Sequence, residues 1–490
     1  MEGINPMNKK WLIAAIAAMS ITTGAANAFA MDVKGTTAET VKYSNNGQAL
    51  SPSAPGVNID GSLYLPIRAF SEATGKYVDW DEFRSSVALT DIPALTGKYK
   101  LNAPDLAEGV KMGVGSSLVH LPGDPDDIFY STADRGPNGE MSVNGTTIRT
   151  FPLVSYVPSI YKIQIADGQI NILDTIPLKV NGADPVSGKA QITGLPNIKG
   201  RDEVPYDVKG EKELSYDPYG ADIEGLAYNA TDDSFWISDE YGPSVLHVKR
   251  DGTIIERIVP KGWAAQVATP LVPARDILPE VYNKLRQNRG AEGVSITPDG
   301  KFMFMAMQSP LRNPSADSDN SRQLRIIKID LAKLAPVAEY VYVAEDAKQF
   351  KGLKQADIVI SDLVAVNENT LLVDERDKNA GKDAQLKRVY SIDLSGATNI
   401  LGKYDDNTAA GKPLEQMSFA DLKTNGILPP SKRTVLDLVG FQFPYEKIEG
   451  LSLINGNTIA IINDNDFGVG STIAENGTEL WTFKLPYTIK

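Results

Sequence analysis

The chain is 490 residues long, 42% apolar and 23% charged, the proportions of a soluble globular protein too long for one ordinary core. Its formal charge of −13 argues against nucleic acid and anionic membranes as partners, because both recruit basic patches. With no cysteine and only two histidines, disulfides and a histidine-rich zinc or copper centre are excluded, while divalent cations held through oxygen are natural company.

Residues 1–30 read as a secretory signal. Lys9 and Lys10 precede an apolar run at 11–21, and small residues follow up to the cleavage pattern Ala28-Phe29-Ala30. The run is shorter than the roughly 20 residues that a spanning helix needs, and nothing like it recurs. The expectation is an exported protein, secreted or held at the cell surface, with no membrane span after cleavage.

Residues 31–95 are expected to form a small α+β domain. Segments 57–59 and 63–65 flank the hairpin turn signal Asp60-Gly61. Pro66 suits a helix start, Ile67, Phe70 and Ala73 supply an apolar face, and Gly75 suits the stop. Segments 77–80 and 86–90 then alternate as two further strands. The run Leu65-Pro66-Ile67-Arg68-Ala69-Phe70-Ser71-Glu72-Ala73-Thr74-Gly75, followed by Val78-Asp79-Trp80-Asp81 and Val87-Ala88-Leu89, resembles the copper amine oxidase N-terminal-like (stalk) domain. The segment has no histidine, so copper chemistry is not expected of it. The resemblance implies an accessory module for surface association, with the cell wall as its partner.

Residues 96–490 carry a repeat, broken only by one expected helix at 279–287. Three copies open on an acid and a glycine: Ile223-Glu224-Gly225-Leu226-Ala227, Ala291-Glu292-Gly293-Val294-Ser295 and Ile448-Glu449-Gly450-Leu451-Ser452. A fourth, Ser361-Asp362-Leu363-Val364-Ala365, keeps the acid alone, and a fifth begins at Ser116. Each opening leads through a turn into a second apolar strand, then a polar cluster, then a third strand. Repeated antiparallel sheets of this kind predict an all-β fold, a β-propeller of five or six blades. Strand material at 98–101 would close the ring, and the long spacers 177–222, 259–289 and 395–445 leave room for a sixth blade. A pair of β-sandwiches is the rival architecture.

In a propeller the innermost strands surround one axis, so equivalent positions converge. Glu224, Glu292, Asp362 and Glu449 would then repel one another unless protonated or neutralised, and a hard divalent cation, Ca²⁺, is the expected neutraliser. The alternative is that acid and glycine merely open a tight turn. The glycine fits either close backbone approach or a positive φ. Among the polar clusters, Arg135, Arg289, Arg376 and Lys447 suit an anionic substrate, and Asp239, Glu240 and Asp464 are candidates for general base or further cation ligands. No Ser-His-Asp triad can be drawn, because neither His120 nor His247 sits in a recognisable motif.

The same residues carry a second resemblance. Asp134-Arg135-Gly136-Pro137-Asn138, Ile192-Thr193-Gly194-Leu195-Pro196-Asn197, Asp239-Glu240-Tyr241-Gly242-Pro243, Arg289-Gly290-Ala291-Glu292-Gly293 and Asn463-Asp464-Asn465-Asp466-Phe467 are similar to successive motifs of the phytase-like ("esterase-like activity of phytase") family. That resemblance implies hydrolysis of a phosphoester or another ester. The leading expectation is a secreted, Ca²⁺-dependent phosphoester hydrolase acting on a small molecule. A lactonase-like or carboxyl-ester hydrolase, and a non-catalytic surface-binding propeller, are the alternatives.

Overall fold

The computed structural model describes residues 51–60, 62–184, 188–406, 411–469 and 477–490, together with the short strands Ile13–Ala15, Met31–Val33, Thr36–Thr37, Tyr43–Asn45 and Gln48–Leu50. Apart from the first of these strands, the expected secretory signal lies outside the described residues. The chain divides into a smaller unit, Met1–Trp80 with Ser86–Ile92, and a larger one, Asp81–Ser85 with Pro93–Lys490.

In the smaller unit Val57–Ile59 pairs antiparallel with Ser62–Tyr64, helix Ile67–Ala73 follows, and Lys76–Asp81 pairs with Ser86–Asp91. The Thr74 hydroxyl donates to the Phe70 and Ser71 carbonyls and closes the helix. The face that this helix buries differs from the expected one. Ala69 and Ser71 are buried, whereas Ile67 and Phe70 are exposed, together with Leu63, Tyr64 and Trp80.

The larger unit is all-β, and its main strands form five sheets in chain order, the first and last joined into one seven-stranded sheet where Ala94–Leu101 pairs parallel with Gln169–Pro177. Sheet 1 holds a bridge at Val119, then Ile128–Thr132, Ser159–Ala166 and Gln169–Pro177. Sheet 2 holds Ile223–Asn229, Ser234–Asp239, Ser244–Lys249 and Ile254–Pro260. Sheet 3 holds Ala291–Ile296, Phe302–Met307, Gln323–Asp330 and Ala335–Val343. Sheet 4 holds Val359–Ala365, Thr370–Arg376, Lys387–Asp393 and Ser431–Asp437. Sheet 5 holds Gly450–Ile454, Thr458–Ile462 and Glu479–Lys484, and its fourth strand is Ala94–Leu101, from the other end of the domain.

Each sheet is sandwiched between two others, so its strands are apolar on both faces and pack in two directions. In Phe302–Met307, Phe304 and Ala306 join the layer shared with sheet 4, while Met303, Met305 and Met307 join the layer shared with sheet 2. Sheet 5 packs the same way, with Ile459 and Ile461 toward sheet 4 and Ala460 and Ile462 toward sheet 1. The layers between successive sheets run from 1 to 5 and back to 1, which is the closed radial arrangement of a propeller.

A hydrogen bond crosses every joint near the axis. Thr132 Oγ1 donates to the Glu224 carbonyl at 2.7 Å, Ser238 Oγ to the Glu292 carbonyl, the Ala365 N–H to Ser295 Oγ at 2.9 Å, the Leu451 N–H to Asp362 Oδ2 at 2.9 Å, and the His120 N–H to Ser452 Oγ at 3.2 Å. These contacts explain the motif glycines. A Cβ on Gly225 would lie 2.6 Å from the Glu292 carbonyl oxygen, and one on Gly450 would lie 2.7 Å from the Ser117 carbonyl carbon. Close approach, not a positive φ, is what requires them.

Among the described residues the spacers hold no sixth blade. Residues 177–222 contain only the short strand Pro205–Tyr206, Ala274–Leu278 adds an outer strand to sheet 2, and Ser431–Asp437 completes sheet 4. The helix expected at 279–287 is a shorter 3-10 turn, Glu280–Lys284.

Candidate active site

The inner strands place their opening acids around the axis. Glu224, Glu292, Asp362 and Glu449 are all buried. Burial, and then the neighbouring acids Asp134, Glu292 and Asp222, push the Glu224 carboxyl well above its ordinary range. Burial, Glu240 and Glu449 do the same to Glu292. Glu292 Oε1 accepts from Gln308 Nε2 at 2.6 Å, and its Oε2 has no partner.

These four acids do not form one compact cluster. Asp362 spends its oxygens on backbone N–H groups, those of Leu363 at 2.7 Å and Leu451 at 2.9 Å, and so ties sheet 4 to sheet 5. Glu449 is neutralised by the protein itself, through Arg376 at 2.8 Å. The groups tight enough for a single ion are Asp134, Asp222 and Glu224, and a second set of Asp134, Asp464 and Asp466, with the ligand oxygens of each set within 4.8 Å of one another. Of the four axial acids only Glu224 belongs to either.

The first triad fits a hard cation. All its donors are oxygens, all three residues are buried, and the Glu224 carboxylate makes no hydrogen bond or ion pair to any described residue. Arg135 lies behind the triad, 2.9 Å from Asp222 Oδ2, 3.4 Å from Asp134 Oδ1 and 2.9 Å from Glu203 Oε2. Burial raises the Asp134 carboxyl, but Arg135, a hydrogen bond with Asp222 and Lys447 outweigh it and hold Asp134 below the usual range. Asp134 thus stays an anion where its neighbours are pressed toward the neutral form.

The second triad stands on a sharp turn. Asp466 and Phe467 both have left-handed backbones, at φ 48° and 55°, and Phe467 is fully buried with its ring edge-on to Tyr156 at 5.1 Å. That anchor holds a strained turn in place and aims Asp466 back toward Asp134. Lys447 lies among these acids, 2.7 Å from Asp466 and 3.3 Å from Asp464.

The remaining expected site residues divide by their partners. Asp239 is wholly engaged by the Asp222 and Tyr241 N–H groups, Ser244 Oγ and Arg257, which suits it to positioning the strand end, not to taking a proton. Arg376 is likewise bound, by Glu449 and by Ser361 Oγ at 2.9 Å. Burial pushes Asp464 well above its usual range against the pull of Lys447. Glu240 is also raised by burial, accepts from the Gly290 N–H at 3.2 Å, and lines a cavity of about 460 Å³. Asp222, Arg201, Glu203, Trp263 and Asn288 share that cavity. Burial and the Arg376 guanidinium lower Arg289 against the pull of Glu240 and Glu292, and its guanidinium makes no hydrogen bond or ion pair to a described residue.

Asp134, Asp222 and Asp466 were not among the expected ligands. Asp222 stands two positions before Glu224, just outside the strand Ile223–Asn229, whose pairing is bulged between Ile223 and Leu226, so regular alternation does not mark it.

The chain resembles several known proteins. An uncharacterized secreted protein of Arthroderma benhamiae is 25% identical over 397 residues, covering 68% of this chain and 75% of the relative. A luciferin-regenerating enzyme shares 9% identity at a TM-score of 0.31, over 85% of this chain and 88% of the other. The PQQ-bound aldose sugar dehydrogenase of Streptomyces coelicolor shares 10% identity at a TM-score of 0.31, over 78% and 98%. None of the helices among the described residues is long and apolar enough to cross a membrane. The model of the phytase-like family, described by the esterase-like activity of phytase, matches residues 111–467, which span both carboxylate triads, and the chain belongs to that family.

Proposed function

We propose that this protein is an exported phosphoester hydrolase that depends on one or more divalent cations, with Ca²⁺ the favoured ion. The observation that carries the reading is the triad Asp134, Asp222 and Glu224, buried carboxylates within 4.8 Å of one another, one of them without a hydrogen-bond or ion-pair partner among the described residues. Such a group is costly unless a cation completes it.

A bound Ca²⁺ supplies the positive charge that polarises a phosphoryl group and favours attack by water. Asp134, Asp222 and Glu224 hold it. Arg289, the unengaged guanidinium beside Glu240 and Glu292, receives the phosphoryl oxygens through charge-assisted hydrogen bonds. Glu240, whose raised carboxyl retains a proton more readily than an ordinary glutamate, donates it to the departing alkoxide. The cavity beside Asp222 and Glu240 accommodates the leaving group. The smaller unit serves as the attachment module, in keeping with its exposed Tyr64 and Trp80.

The test is a panel of phosphomonoesters, phytate and lactones, each assayed with and without chelator. Phosphoester turnover is expected, abolished by chelator and restored by Ca²⁺, with Glu224→Gln weakening Ca²⁺ affinity at least about tenfold, which is about 1.4 kcal/mol. Turnover that ignores the chelator refutes the cation mechanism. Lactone turnover alone reassigns the substrate, and no turnover of any ester leaves a binding propeller.

A further inference from the structure

Asp134 belongs to both carboxylate triads, so the acids by themselves describe a two-ion centre bridged by one shared carboxylate. The second triad, however, already contains a positive group. Lys447 Nζ lies 2.7 Å from Asp466 Oδ1, 3.3 Å from Asp464 Oδ2 and 3.6 Å from Glu449 Oε1.

We infer that the Lys447 ammonium stands in the place of a second cation, so that the centre binds one divalent ion, at Asp134, Asp222 and Glu224, and that a neutral side chain at 447 would open a second ion site at Asp134, Asp464 and Asp466. The inference rests on the divalent-cation reading given above.

Size and shape separate the two triads. An ammonium is a compact point charge, and here it touches the oxygens that an incoming ion would have to share. A divalent ion coordinated by Asp464 and Asp466 would sit within a few ångströms of it and be repelled. The first triad has a planar guanidinium whose charge is divided among Asp134, Asp222 and Glu203. It leaves Glu224 free to bind. Lys447 also stands two positions before Glu449 and reaches it at 3.6 Å, as Asp222 stands two positions before Glu224 and lies beside it in the first triad. Sheets 2 and 5 therefore present different pairs at equivalent places, two acids in one and a lysine with an acid in the other.

The test counts ions. Mn²⁺ is titrated into the full-length protein and followed by electron paramagnetic resonance and calorimetry, counting only ions that Asp134→Asn abolishes. Wild type is expected to bind one ion with the spectrum of an isolated Mn²⁺. Lys447→Met is expected to bind two, with the exchange-coupled spectrum of a close pair, and Lys447→Gln should do the same. Lys447→Arg should remain at one. A coupled pair in wild type overturns the inference, as does a single ion in a folded Lys447→Met or Lys447→Gln protein. The wild-type count decides the matter by itself should both neutral variants fail to fold. Absence of any ion that Asp134→Asn or Glu224→Gln removes instead refutes the divalent-cation reading, a result distinct from either of those.

Discussion

Two clusters of buried charge lie in the propeller, one within sheet 3 and one on the axis, and they are built to opposite ends. In sheet 3 Arg325 is bound by Glu415 at 2.6 Å, Asp405 at 2.7 Å and Glu339 at 3.0 Å. Tyr282 donates to the other Glu339 oxygen at 2.7 Å, and Asn313 to the other Glu415 oxygen at 3.1 Å. Every oxygen of these two glutamates has a donor, so the group fastens the segment around Asp405 and Glu415 to the blade and asks for no ligand. On the axis, among the described residues, Glu224 has no donor and Glu292 Oε2 has none. Burial alone therefore does not mark a functional acid. The proposed ion site rests instead on three such acids brought within reach of one ion, which the equally unpartnered Asp374 is not.

The largest expected effect comes from breaking the satisfied cluster. Arg325→Met leaves Glu339 and Glu415 buried without their cation and should cost about 3–5 kcal/mol in urea unfolding, with Ca²⁺ affinity unchanged. A loss below about 1 kcal/mol would erase the contrast between the two clusters.

The axial cluster should respond to pH and metal together. Burial first, and then neighbouring acids, raise the folded values of Glu224 and Glu292 above those of the unfolded chain. Between the ordinary carboxylate range and the raised values the folded state binds more protons, so metal-free stability falls as pH rises through that window. Melting in chelator should therefore weaken as pH rises above the ordinary carboxylate range. Ca²⁺ held at one concentration, about a hundredfold over its Kd at the lower pH, should restore about 2.7 kcal/mol there and more at the higher pH. A Ca²⁺ gain that does not grow with pH would separate the raised acids from the ion site.

A smaller effect is expected at the joints between sheets. Gly225→Ala places a methyl 2.6 Å from the Glu292 carbonyl oxygen and should cost about 1–3 kcal/mol by thermal melting. An unchanged melting temperature would mean that the axial backbone yields more readily than its packing implies.

Much of this architecture can be read in the chain before any coordinates. The acid and glycine recur because every inner strand meets the next at the same close joint, so one constraint is written three times, in Gly225, Gly293 and Gly450. The second strands read as apolar runs because both of their faces are covered, as the two-way packing of Phe302–Met307 illustrates. What alternation and repeats do not encode is which loop residues lean over the axis. Asp134 and Asp466 follow the ends of their strands, and their approach to Glu224 and Lys447 depends on turns such as the left-handed pair at Asp466 and Phe467. Asp362 misleads for a different reason: it occupies the axial position of its repeat, but two backbone N–H groups claim it first.

Sheet 5 is assembled from both ends of the domain, with Ala94–Leu101 hydrogen-bonded along Glu479–Lys484. A ribosome releases the first of these strands almost 400 residues before the second. Until Glu479–Lys484 lies beside Ala94–Leu101 the ring is not closed. Closure is thus a late event in the folding of the domain, and Glu479–Lys484 is the clasp on which the ring depends.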